Sequence, residues 1–206
     1  MNRNVIALDL AKNVIQIAQI SKHGELLSNK SLSPSKVKEV LAKAKPSIVA
    51  MEGCGSCQYW ARLAQFYGHE ARIMQARKVK PYISGQKTDA NDAVGIAVAA
   101  MQLSMTYCPV KTVEQSTIQA INTSRRHLDS SLTALNNHIR ALAYEFGVTL
   151  PKGYKGLREG VSQLLAIDSS SLPEQLQITL RHLWQHYLDT KQQLAEVETQ
   201  LLALTR

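Results

Sequence analysis

The feature that most constrains this chain is a change of hydrophobic period near residue 110. Before it, apolar residues come in short β-branched runs between polar breaks; after it they recur at steps of three and four over long stretches. The first pattern is that of strands alternating with helices, and the second that of helices packing along a seam. Residues 3–9 (RNVIALD), 13–20 (NVIQIAQI) and 24–32 (GELLSNKSL) read as an opening three-stranded meander. Ser33-Pro34 opens a helix that runs to Pro46, residues 48–51 form a buried strand ending at Glu52, and a helix follows over about 56–67. A strand over about 69–73, a basic loop from Arg77 to Tyr82 and a helix of small residues from near Thr88 to about Gln102 complete this half. The order β-β-β-α-β-α-β-α predicts an α/β layered domain with a mixed sheet over residues 1–109.

Residues 110–206 predict an all-α, coiled-coil-like region. Ile118, Ile121, Arg125, Leu128, Leu132, Leu135, Ile139, Leu142 and Phe146 form one heptad stripe. Leu176, Leu180, Leu183, Tyr187, Thr190, Leu194, Val197, Leu201 and Leu204 form a second, opened by the capping-box signature Ser171-Leu-Pro-Glu174. Glycines 147, 153 and 156 with Pro151 read as a linker, followed by a short helix over about 157–167. The stripes can satisfy each other within one chain or between chains, so a homo-oligomer is expected through this region. The second stripe is still in register at Leu204 with no closing Gly, Asn or Pro, and a chain cut short at Arg206 is expected.

Composition removes several function classes. The longest apolar run, Ala93 to Met101, falls far short of the ~18 residues of a membrane span, and Asp9 interrupts any signal-like start, so a cytoplasmic protein without membrane contact is expected. Three cysteines make no disulfide framework. The formal charge of +8 is uneven: residues 1–110 hold fourteen Lys and Arg against seven acids, the remainder ten against nine. A basic first half suits a polyanion such as nucleic acid.

Within that basic half, four acids stand at places with geometric meaning. Asp9 lies near the end of the first strand, Glu52 follows the fourth, and Asp89 and Asp92 share one face at the start of a helix. If the first and fourth strands are neighbours, a helix crossing their ends gathers all four. Carboxylates so gathered repel and call for a cation, and oxygen-only donors suit Mg²⁺ or Mn²⁺. Two such ions ~4 Å apart can activate a nucleophile and stabilise the leaving oxygen of a phosphodiester. Taken singly, Asp89 and Asp92 are also accounted for as complements to a helix N-terminus capped by Thr88.

The segments ALDLAK (7–12), AMEGCGSCQYWA (50–61), GQKTDANDA (85–93) and LNNHIRALAYEFGVTLPKG (135–153) resemble the insertion-sequence transposases whose site is an Asp-Glu-Asp-Asp tetrad, a family that includes pilin-gene invertases and bridge-RNA-guided recombinases. The resemblance implies a ribonuclease-H-like carboxylate domain similar to the Holliday-junction resolvases. It makes Asp9, Glu52, Asp89 and Asp92 the catalytic and metal-binding carboxylates, with DNA ends and target as substrate and a structured guide RNA as partner. Relatives carry a further domain with a nucleophilic serine beyond the helical region; the chain is expected to stop before it, which leaves no serine here with that role. Exonucleases with the same four acids place their Glu two residues after the first Asp, where this chain has Ala11. By composition and position, Arg77, Lys78, Lys80, Tyr82 and Lys87 are expected to contact nucleic-acid backbone.

Two other readings remain open at the level of sequence. Cys54-Gly-Ser-Cys57, between a strand and a helix, could exchange disulfides, since a helix N-terminus lowers a thiol pKa. A chain without the serine domain could also act as a non-catalytic, nucleic-acid-binding and dimerising regulator.

Overall fold

The computed structural model describes residues 3–86, 88–166 and 172–204, so Lys87, Ser171 and Arg206 lie outside the described residues. It divides into two compact units, Met1–Glu114 and Gln115–Arg206.

The first unit is a six-stranded mixed sheet. Its strands are β1 (Val5–Leu10), β2 (Ile15–Ile20), β3 (Leu26–Leu32), β4 (Ile48–Glu52), β5 (Glu70–Met74) and β6 (Tyr107–Cys108), in the order β3-β2-β1-β4-β5-β6. The first three pair antiparallel; β4 lies parallel to β1, and β5 parallel to β4. This order and these directions make the expected ribonuclease-H-like sheet, with β1 and β4 side by side. Helices α1 (Pro34–Lys43) and α2 (Cys57–Phe66) cover one face, and α4 (Asp89–Ala100) the other.

Strand alternation sorts the two faces. Ile6, Leu8, Ile15, Ile17, Val49 and Met51 point to the α1/α2 side, where Leu41 and Trp60 close the core. Val5, Ala7, Ala18, Ile20, Ile48 and Ala50 point to the α4 side and meet Ala93, Ile96, Ala97 and Ala100. Small residues on both partners let α4 lie close on the sheet. Arg72 on β5 ties down the end of that helix, donating to the Ala100 carbonyl at 2.7 Å and to the Tyr107 hydroxyl at 2.9 Å.

Two local expectations need correction. The expected basic loop is ordered as helix α3 (Ala76–Val79) and a 3₁₀ turn (Lys80–Tyr82), because Val79 is buried under α4 and anchors the segment. Strand β6 was not foreseen; two residues pairing antiparallel to β5 are too few to show a period.

The second unit holds α5 (Val113–Glu145), α6 (Gly153–Leu164) and α7 (Glu174–Leu204), with α5 beginning just before the division. Ile139, Leu157, Val161, Leu180 and Tyr187 centre its core, and members of both stripes, Leu132, Leu135, Leu142, Leu176 and Leu183, pack around them. The stripes therefore meet within the chain. Their polar members have partners: Arg125 reaches Glu198 at 3.4 Å, and Thr190 donates to the His186 carbonyl at 2.7 Å. Helix α6 starts earlier than expected. Gly156 and Gly160 belong to it, because a Cβ at either would fall 2.6 or 2.5 Å from Pro151 or Leu150. Gly156, expected in the linker, lies within the helix and permits close packing there, as does Gly160. No helix among the described residues is long and apolar enough to cross a membrane.

Candidate functional site

Alternation fixes where the strand acids go. Asp9 shares the side of Val5 and Ala7, and Glu52 the side of Ile48 and Ala50, so both carboxylates lie on the α4 face. The β1–β4 pairing runs through Ala7↔Ala50 and Leu8↔Met51, which leaves Asp9 and Glu52 next in line on adjacent strands. Helix α4 supplies the other two. Thr88 caps it, accepting from the Asn91 N–H at 3.3 Å, and Asp89 and Asp92 occupy its first turn, where the helix N-terminus favours negative charge.

Asp9, Glu52 and Asp92 line one cavity of about 540 Å³ together with Ala76, Arg77, Lys80, Ile83 and Gly85. The acids influence one another there. Burial pushes the Asp9 carboxyl above its ordinary value of 3.8, and the charges of Asp92 and Asp89 push it further in the same direction. Burial likewise raises Glu52 above 4.5, with Asp9 and Asp92 adding to the effect. Asp89 is exposed and does not line the cavity, although its charge reaches Asp9. Among the described residues no three acidic, histidine or cysteine side chains converge closely enough to hold a metal as they stand. The carboxylates surround a space rather than a point. By donor chemistry alone, an all-oxygen anionic set fits a hard divalent cation.

The basic residues separate into two groups. Arg77 and Lys80 are exposed and line the same cavity as the acids. Lys78, one step round the short helix, turns away and donates to the Thr106 hydroxyl, while Tyr82 is half-buried against the α4-side core. Close packing sets their position: a Cβ on Gly95 would lie 2.6 Å from Ile83 Cγ1 and 3.0 Å from Ile83 Cα, so only glycine there allows the segment carrying Lys80 to lie against α4.

Sequence reading missed the polar residues beside the acids. Gln16 on β2 is buried and stands directly across from Asp9, and Ser31 on β3 stands across from Gln16. The available signal was a glutamine, Gln16, sharing its face of β2 with the apolar Ala18 and Ile20.

A family model for transposases of the DEDD, IS110 type matches residues 6–146. The chain belongs to that transposase family. Relatives of this DEDD transposase chain include a probable family 20 transposase of Pseudomonas aeruginosa, 35% identical over all of this chain and 61% of the relative. The transposase for insertion sequence element IS1111A of Coxiella burnetii is 32% identical over 98% of this chain and 56% of its own length. The chain thus spans about three-fifths of the length of the curated relatives it matches. Among solved structures, RuvC of Thermus thermophilus aligns with a TM-score of 0.41 and 15% identity, over 51% of this chain and 99% of that one.

The disulfide-exchange reading turns on the thiols of this transposase chain. Cys54, Cys57 and Cys108 are free, and Cys57, at the first position of α2, is buried. Burial pushes its thiol pKa up, against the lowering expected at a helix N-terminus.

Proposed function

We propose that this chain carries the metal-dependent half of a DNA strand-cleaving and strand-joining site, in a transposase acting on element ends and target DNA. The observation that supports this reading is one cavity lined by Asp9, Glu52 and Asp92 together with Arg77 and Lys80, in a chain of the DEDD transposase family. In this reading Asp9, Glu52, Asp89 and Asp92 hold Mg²⁺ or Mn²⁺. Such ions, when bound, lower the pKa of an attacking oxygen and stabilise a leaving one. The four carboxylates orient the ions and balance their charge. Arg77 and Lys80 hold the phosphate backbone across the cavity. Burial and neighbouring carboxylates raise Asp9 and Glu52, and a bound cation would favour their ionised forms. Lys87 belongs to the same basic set by sequence. The helical unit, residues 110–206 by sequence reading, serves homo-oligomerisation, and a structured guide RNA and a cytoplasmic setting complete the proposal.

The test is nicking of supercoiled plasmid by the purified chain in Mn²⁺, compared with Asp92→Asn. The reading expects slow, Mn²⁺-dependent nicking reduced about 100-fold or more in the variant. Nicking that survives unchanged in Asp92→Asn contradicts it, and DNA binding without any nicking favours the non-catalytic regulator.

A further inference from the structure

The acids of the cavity sit at the end of a longer polar row. Register places Ser31, Gln16 and Asp9 directly across from one another on β3, β2 and β1, and Glu52 is the next step on β4. Alternation puts Gln16 on the same side as Asp9, since its neighbours Ile15 and Ile17 face α1 and α2 while Ala18 and Ile20 face α4. The row thus runs beneath the opening turn of α4.

Its hydrogen bonds have a definite direction. The Asn29 side-chain amide donates to the Ala90 carbonyl at 3.0 Å, which turns the Asn29 oxygen toward the sheet. That oxygen accepts from Gln16 Nε2 at 2.6 Å, and Gln16 Oε1 in turn accepts from the Ser31 hydroxyl. Because a backbone carbonyl can only accept, the far end of the chain fixes the orientation of both amides. Ala90 lies between Asp89 and Asp92 in the first turn of α4. A first-turn carbonyl already accepts from the helix's own N–H four residues on, so this bond is an addition to the helix rather than a repair of it.

We infer that Gln16 and Asn29 are positioning residues for the metal site: they hold the first turn of α4 at the height above the sheet from which Asp89 and Asp92 can share cations with Asp9 and Glu52. This rests on the metal reading given above. Apolar packing alone does not set that height. In the opening turn of the helix the first residue to enter the core is Ala93, whose methyl group leaves that turn free to tilt or slide by a fraction of an ångström; the larger Ile96 comes only later. The directional bond from Asn29, itself held by the buried Gln16, removes that freedom, and carboxylate ligands need it removed, since ligand placement within about 0.5 Å governs a metal site.

The test replaces the pair by apolar near-isosteres, Gln16→Met/Asn29→Leu, which avoids leaving one buried amide without its partner and so keeps the fold. Two readouts are taken on the full chain. Without metal, amide hydrogen exchange at residues 92–95 is expected to accelerate tenfold or more, while α2 on the opposite face keeps its protection. With metal, the calorimetric Kd for Mn²⁺ alone at neutral pH is expected to rise at least tenfold. Gln58→Ala, which removes a comparable tether from α2 to Lys111 and Pro109, serves as the control and is expected to leave Mn²⁺ affinity within twofold.

Unchanged exchange in the α4 turn overturns the inference, as does a loosened turn with Mn²⁺ affinity kept within twofold. Equal loss of Mn²⁺ affinity in the control overturns it too, because the effect is then general destabilisation. Wild-type protein that binds no Mn²⁺ overturns the metal reading itself, and the positioning role with it; a wild type that binds and a double variant that binds equally well overturns only the positioning role.

Discussion

The two faces of the sheet are made from different side chains. The face under α1 and α2 is filled with Leu8, Ile15, Ile17, Leu41, Met51, Trp60 and Ile73, large residues that bury much apolar area each. The face under α4 sets seven alanines (Ala7, Ala18, Ala50, Ala93, Ala97, Ala99 and Ala100) among Val5, Ile20, Ile48, Met74 and Ile96, and at its open end carries carboxylates and two basic side chains. One face is built for stability. The other gives up apolar area so that a helix can approach the sheet closely and bring charged groups together at the strand ends, where an α/β sheet exposes its polar chemistry.

The largest expected effect breaks the comparison at its stable side. Leu8→Ala removes a fully buried side chain and is expected to cost about 2–5 kcal/mol in chemical denaturation, without altering which residues line the cavity. Next is Gly95→Ala on the other face. Its new methyl meets Ile83 backbone and side chain, and overpacking of roughly 1–3 kcal/mol is offset by about 1 kcal/mol of better helix propensity. Its sharper signature is displacement of the Lys80 segment, read as weaker DNA binding that exceeds the loss of stability.

The cations give a third comparison, within a single short segment. Lys80→Ala or Arg77→Ala is expected to weaken affinity for a short DNA duplex by roughly 3- to 10-fold at low salt and to flatten the salt dependence by about one charge. Lys78→Ala, whose ammonium is held by Thr106, is expected to change it by less than about twofold. Equal effects from Lys78 and Lys80 would dissolve the distinction.

The smallest expected effect is electrostatic. Asp9 and Glu52 have folded pKa values raised above 3.8 and 4.5, so the native state holds their protons more tightly than the unfolded chain. Their favourable contribution is complete below those ordinary values and is lost as pH rises through the raised ones. Metal-free protein at neutral pH therefore carries a penalty on the α4 face. Asp9→Asn is expected to raise its unfolding midpoint at pH 7 by roughly 2 °C and to remove part of the gain otherwise seen on mild acidification. Saturating Mg²⁺ is expected to shrink the difference or reverse it.

How much of this was legible in the sequence follows the same division. Strands β1, β2 and β4 carry β-branched runs and declared themselves, and the four acids stood out because they terminate such runs or open a capped helix. The two heptad stripes were equally plain, although only the structure shows that they meet within one chain through Arg125 and Glu198. What stayed hidden depends on cross-strand register. Gln16, Asn29 and Ser31 are separated by up to fifteen residues, and no local period indicates that their side chains meet. The split of Arg77 and Lys80 from Lys78 was hidden because α3 is a single turn, too short to leave a pattern. The α6 glycines misled for a related reason: the sequence signals a break, whereas close contact with Leu150 and Pro151 is a tertiary requirement.

The central claim is that the α4 face holds divalent cations between strand-end and helix-start carboxylates. Calorimetric titration of Mn²⁺ at neutral pH into the wild-type chain and into Asp89→Asn/Asp92→Asn, with circular dichroism showing both folded, tests it most directly. The account predicts saturable binding in the wild type that is lost in the variant; equal binding by both, or binding by neither, contradicts it.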